Sequence, residues 1–165
     1  MANQSQGLNE DRVACLIGGF IFLLGMAYFW GVDLIGWICK MGMWVGDPMK
    51  CFKAAHKGYM EGWQALICTY VFVTVMLAVG IKLMRGNVFR FIIAFTVVYF
   101  IAICCYVIGA NAYIAANPTQ IAKMGVPWAL GLSTEAGLIV ALIVGIIIGN
   151  LFPSVVEYLH EACRP

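Results

Sequence analysis

Leu132 to Pro153 reads LSTEAGLIVALIVGIIIGNLFP. One acid, Glu135, is followed by a run from Gly137 to Phe152 without a charge. Crossing the roughly 30 Å hydrocarbon core of a bilayer takes about 20 mostly apolar residues as a helix. The run is continuous and does not alternate, so a transmembrane β-barrel is excluded. Within it Gly137, Ala141, Gly145 and Gly149 recur every fourth residue. Four residues advance about 400° around a helix, so this ladder drifts slowly and suits a close right-handed crossing by another backbone. It fits a packed core helix of a transporter, and it fits a plain packing or dimer contact. Glu135 also has two readings. With Ser133 or Thr134 as N-cap, it lies in the first helical turn, where the helix dipole favours an acid. Alternatively, it is an acid held inside the membrane for transport.

The rest of the chain has the same character. Of 165 residues, 63% are hydrophobic and 11% charged, against roughly 45–50% and 25% in soluble domains. The fold class expected is therefore an all-α integral membrane protein. About four transmembrane helices are expected, with an interfacial amphipathic helix between the first and second. The spans fall near 13–30, 63–84, 91–115 and 133–153 in a single domain, between polar tails at 1–12 and 154–165. Met1 to Arg12 includes Glu10 and Asp11, and no small-residue cleavage pattern follows. The first apolar run is thus read as a retained helix rather than a signal peptide. RGNVFR joins the second and third spans as a tight antiparallel hairpin.

Between the first two spans Trp30, Trp37 and Trp44 recur every seven residues, followed by Trp63. Tryptophan concentrates at membrane–water boundaries, so these four are candidate interfacial anchors. Asp47-Pro48 reads as N-cap and first helical residue. A helix from there places Phe52, Ala55, Tyr59 and Trp63 on one face and Lys50, Lys53 and Lys57 on another. That is the pattern of a helix lying in the interface or of a basic connector packed on its neighbours. Asn117-Pro118 reads as a second cap and helix start, ended by Gly125 and Pro127.

An even number of crossings puts Arg12, Lys82, Arg85, Arg90 and Arg164 on one side. Lys40, Lys50, Lys53, Lys57 and Lys123 fall on the other. The balance leaves orientation open. Chemistry-bearing residues are scarce in the apolar runs. His56 and His160 both lie in polar segments, which disfavours a haem protein. Cys39, Cys51 and His56 match no common metal spacing. Cys104 and Cys105 are adjacent in a helix and point to different faces. Cys163 carries no lipidation motif. Asn111 is either glue between helices or part of a polar path. Glu135, Asn150 and Asn111 are the candidate binding residues. No nucleophile–base pair, metal cluster or phosphate loop appears, so no enzyme, metal or cofactor is expected. No basic run points to nucleic acid.

Three linked stretches carry a family likeness: NEDRVACLIGGFIFLLGMAYFWGVDLIGW, PWALGLSTEAGLIVALIVGIIIGNLFP and EYLHEACRP. Together they resemble the N-terminal part of the sulfate exporter family of the YeiH type. The resemblance implies a multi-helix secondary transporter of the plasma (inner) membrane, built on inverted repeats with broken helices. It makes the fourth span, with G-x-x-x-G-N at Gly145 to Asn150, similar to an early helix of the transport core. Longer members of that family continue well beyond the equivalent of Pro165. The expected function is therefore the membrane scaffold portion, or a subunit, of an anion exporter that is not transport-competent alone. The alternative is a structural accessory subunit of a larger membrane complex. The partners expected are the lipid bilayer and further membrane chains.

Overall fold

The computed structural model describes residues 10–56, 58, 60 and 62–162. Among the described residues, three helical stretches are long and apolar enough to cross a membrane. They are α1 (Glu10–Met26, continued by a 3-10 turn at Ala27–Trp30), α2 (Gly62–Leu83) and α3 (Val88–Gly109). A fourth helix, α6 (Ala136–Leu151), meets the same test together with α7 (Pro153–Ala162), across a bend of 107°. Sixteen residues of α6 rise about 24 Å. The 3-10 turn ahead of it at Ser133–Glu135 adds about 6 Å. Together they match a hydrocarbon core of about 30 Å. The chain is a mostly helical, multi-pass membrane protein, and its described residues hold three candidate spans, or four when the bent pair is counted as one.

Neighbouring helices run antiparallel. Val13 and Ile17 near the start of α1 meet Gly80 near the end of α2, where a Cβ would lie 2.9 Å from Ile17 Cδ1. Asn87 caps α3 by accepting from the Arg90 N–H at 3.3 Å, so α2 and α3 form the expected tight hairpin. Tyr70 of α2 and Thr96 of α3 share a hydroxyl hydrogen bond of 2.6 Å. Tyr70 also stacks with Phe95 and meets Tyr99 at a tilt of 48°. α6 returns along α3: Gly137 at its start lies against Gly109 at the end of α3.

Three expectations are corrected. The interfacial helix between the first two spans does not form over 47–56. Asp47 does accept from the Met49 N–H at 3.0 Å, and Pro48 does follow the cap, but the result is one 3-10 turn, Pro48–Cys51. The chain then enters strand β2 (Phe52–Ala54), antiparallel to β1 (Cys39–Met41). A short helix is marginal by itself. The strand pair instead satisfies the backbone, with Gly42 N–H to Cys51 O at 2.7 Å and Ala55 N–H to Ile38 O at 2.9 Å. The relevant period is therefore two: Phe52 and Ala54 are half-buried while Lys53 is exposed. Lys57 and Tyr59, assigned to that helix, lie outside the described residues, as do 1–9 and Cys163 and Arg164 in the tails.

The third span is also shorter than expected. It ends at Gly109, and a separate short helix, α4 (Ala112–Ala115), starts after Asn111. Asn111 accepts from the Tyr113 N–H at 3.0 Å as the cap of α4. A side chain that caps a new helix competes with continuation of the old one. The polar C-terminal tail, finally, is mostly α7. Pro153 disfavours the helical region for Phe152, which takes φ −128° and ψ 62°, and then serves as the first residue of α7. Glu161 of α7 receives a hydrogen bond from Arg90 of α3 at 2.8 Å, and the Arg90 guanidinium covers the Tyr158 ring. An amphipathic helix set across the spans is thus present, after the last span rather than after the first.

The irregular structure gathers at one end, where α1, α3 and the 3-10 turn before α6 terminate or begin. The β1–β2 hairpin, α4 and α5 (Pro118–Met124) lie there with the extended segment 126–132. Leu130 and Leu132 donate to the Tyr113 and Ile114 carbonyls at 2.9 and 3.1 Å. Ala112, Ala116 and Val126 form a small buried cluster with Met43, Ile121 and Ala129 around it. α5 begins and ends as expected: Gln120 accepts from the Asn117 N–H at 2.9 Å, and Gly125 closes it with a left-handed φ of 67°.

Candidate functional site

The end of α3 is the most elaborately built part of the molecule. The last carbonyls of a helix lack partners within it. Trp44, in the loop after β1, supplies two: its indole N–H donates to Val107 O at 2.7 Å, and its backbone N–H to Ala110 O at 3.2 Å. Its carbonyl accepts from the Ala112 N–H at 3.0 Å. Trp44 thus bridges the break between α3 and α4 with the geometry of a parallel strand pair to Asn111.

Below this break α6 packs unusually close. A Cβ on Gly109 would lie 2.5 Å from Gly137 Cα, and one on Gly137 2.6 Å from Tyr106 Cδ1. Beside the contact is a cavity of about 470 Å³, with Lys40, Met43, Tyr106, Ala110 and Ser133 among its lining residues. Ser133 has a left-handed φ of 58°, an uncommon conformation outside glycine and asparagine and one that tends to occur at functional turns. A phenol and a serine hydroxyl beside one cavity are hydrogen-bond donors suited to a polar solute. Among the described residues, no three of His, Cys, Asp and Glu converge as metal ligands.

The candidate residues separate. Glu135 is the N-cap of α6; it is exposed and makes no capping hydrogen bond. Ser133 does not cap α6 either, because it sits in the 3-10 turn; the Thr134 side chain lies outside the description. Asn111 is at the α3–α4 break. Asn150 is at the other end of α6, exposed, and donates to Ile146 O at 2.8 Å. Asn111 and Asn150 therefore do not share a site. The ladder divides too: Gly137 is buried and Ala141 half-buried, while a Cβ on Gly145 or Gly149 would meet nothing within 4 Å.

Of the four tryptophans expected as interfacial anchors, Trp30 and Trp63 are exposed. Trp37 packs edge-on against Phe72 and donates to Leu34 O at 2.7 Å. Trp44, read as an anchor at the water boundary, has its N–H turned to the protein. Lys50 is exposed in the 3-10 turn, and Lys53 lies on β2 directly opposite Lys40. The Asp33 carboxylate and the His56 imidazole are hydrogen-bond partners, with Tyr28 stacked on the imidazole, and so tie the segment after α1 to the hairpin. Burial pushes the pKa of the Cys39 and Cys51 thiols above the ordinary value, which lowers their thiolate fraction at a given pH. Sequence reasoning missed Tyr106, Ser133 and Lys40 as neighbours. They are far apart in the chain, and only the break after Gly109, signalled by Asn111, hinted at the junction.

The chain is similar to a UPF0324 membrane protein of Nitrosomonas europaea, at 28% identity over 159 residues. The match covers 94% of this chain and 33% of the relative. The chain thus spans about a third of that protein's length. No protein-family profile matches, and no solved structure matches.

Proposed function

We propose that the chain is the scaffold portion, or a subunit, of an anion-exporter-like secondary transporter and does not transport alone. The observation that carries this reading is the divided ladder of α6. Its first rung is filled by α3, and the rungs at Gly145 and Gly149 are open. Leu138, Leu142 and Ile146 on the same helix are more than half exposed. In a bilayer, small residues draw helices together by letting backbones approach, so the open rungs fit further core helices. The similarity to one third of a longer membrane protein supports the same reading. Sulfate as the exported anion comes from the family resemblance. On this reading the chain catalyses no reaction and holds no cofactor.

The test is gentle detergent extraction followed by mass spectrometry of the species that migrates with the chain. A co-migrating polypeptide carrying additional transporter-like helices supports the proposal. Recovery only as a monomer or homodimer overturns it. Co-migration with a complex of unrelated chemistry overturns it in favour of an accessory subunit.

A further inference from the structure

Lys40 of β1 and Lys53 of β2 are direct cross-strand partners. Both are exposed, while Cys39, Met41, Phe52 and Ala54 are half-buried, so the two ammonium groups share the outer face of the hairpin. Like charges directly opposite each other on one face destabilise a strand pair. Neither lysine forms an ion pair among the described residues. Among the described residues of this region, Asp33 contacts His56 and Asp47 caps the 3-10 turn. The Lys53 stem runs over Gly42, so that a Cβ there would lie 3.3 Å from its Cδ, Cε and Nζ. The lysine is thereby laid along the hairpin and over a cleft of about 490 Å³, whose other walls include Phe52, Ala54 and Met60.

We infer that Lys40 and Lys53 bind the phosphate of an anionic lipid headgroup in this cleft. A phosphodiester offers two anionic oxygens, one for each ammonium, and relieves their repulsion. Two observations select a lipid over a free anion. Beside the lysines and His56 the cleft is lined by Met41, Phe52, Ala54 and Met60, an apolar stretch that suits glycerol and the first acyl carbons. The hairpin is also fixed at the mouth of the spans, because Cys39 N–H donates to Thr69 Oγ1 of α2 at 2.9 Å and the half-exposed Trp63 lies at the start of the same helix. That is the depth at which headgroup phosphates lie beside tryptophan. Lys50, on the 3-10 turn, adds to the field without belonging to the pair. The inference does not depend on the transport reading.

The experiment is native mass spectrometry of the full chain released from nanodiscs of phosphatidylglycerol and phosphatidylcholine in equal amounts. The wild-type chain is expected to retain phosphatidylglycerol over phosphatidylcholine by roughly ten- to thirtyfold, given two lysines near a phosphate. Lys40→Gln combined with Lys53→Gln should abolish the preference, and Lys123→Gln should keep it. Lys53→Glu guards against a folding artefact, because it turns the cross-strand pair attractive. It should match or exceed the wild-type melting temperature in phosphatidylcholine, yet show no phosphatidylglycerol preference. A wild-type chain without preference overturns the inference, as does either variant retaining it. Displacement of phosphatidylglycerol by an equal concentration of inorganic phosphate also overturns it, in favour of a free-anion site.

Discussion

Gly109, Gly137, Gly145 and Gly149 have the same side chain and very different surroundings. An alanine at 109 would place its Cβ 2.5 Å from the Gly137 backbone, which cannot swing aside as a side-chain tip can. Gly109→Ala is expected to destabilise the chain by about 1–3 kcal/mol, the usual cost of overpacking. Gly145→Ala and Gly149→Ala add a methyl in open space and gain helix propensity, with an upper bound of about 1 kcal/mol. Reversible unfolding in mixed micelles measures both. Equal effects at 109 and 149 would show that α3 and α6 do not touch as described. The buried thiols give a second residue-scale test. With their pKa values raised by burial, Cys39 and Cys51 hold less thiolate than a free thiol at any given pH. Their maleimide labelling should lag behind glutathione at pH near 7.5 and catch up only as the solution becomes more alkaline. Mass mapping of labelled peptides distinguishes the sites. Prompt labelling at neutral pH would mean that the hairpin opens.

At the scale of elements, the break between α3 and α4 is the feature with most tertiary support. Trp44→Phe preserves an aromatic ring but leaves Val107 O without its donor. Losing a hydrogen bond to a half-buried carbonyl costs about 1–3 kcal/mol. The variant should show faster hydrogen exchange at Ala112, whose N–H bonds to the Trp44 carbonyl, while exchange in mid-α2 stays unchanged. Uniformly faster exchange would instead mean global destabilisation. The hairpin teaches the related lesson about local signals. Asp47 and Pro48 were legible as a helix start, and they do start a turn. How far a start propagates depends on what else the backbone can bond to. Here residues 38–42 offered a strand that no pattern in 47–61 could reveal.

For the whole molecule, the distribution of burial matters most. The small packed core lies in the cap around Ala112, Ala116 and Val126, whereas the spans expose large apolar side chains along most of their length. Leu142, 65% exposed, reports what covers α6. With a benzophenone-bearing residue at position 142, irradiation of native membranes should cross-link α6 to another polypeptide segment if further helices fill the open rungs, as the proposed function requires. Cross-linking to lipid alone would leave α6 facing lipid and count against that function.

Fold class followed from composition and hydropathy alone, because a bilayer forces continuous apolar runs into helices whatever their neighbours. The tight α2–α3 hairpin was legible from the shortness of the RGNVFR connection, and the limits of α5 were legible because Asn117, Pro118 and Gly125 act within one helical turn. The ladder of α6 was legible as a close-packing motif, but not its division into a filled and an open half. Nor could the sequence place Lys40 opposite Lys53, turn the Trp44 indole onto Val107 or gather Tyr106 and Ser133 at one cavity. Each of these depends on which distant segment arrives at a given backbone, and that is decided by competition among long-range contacts rather than by any local pattern.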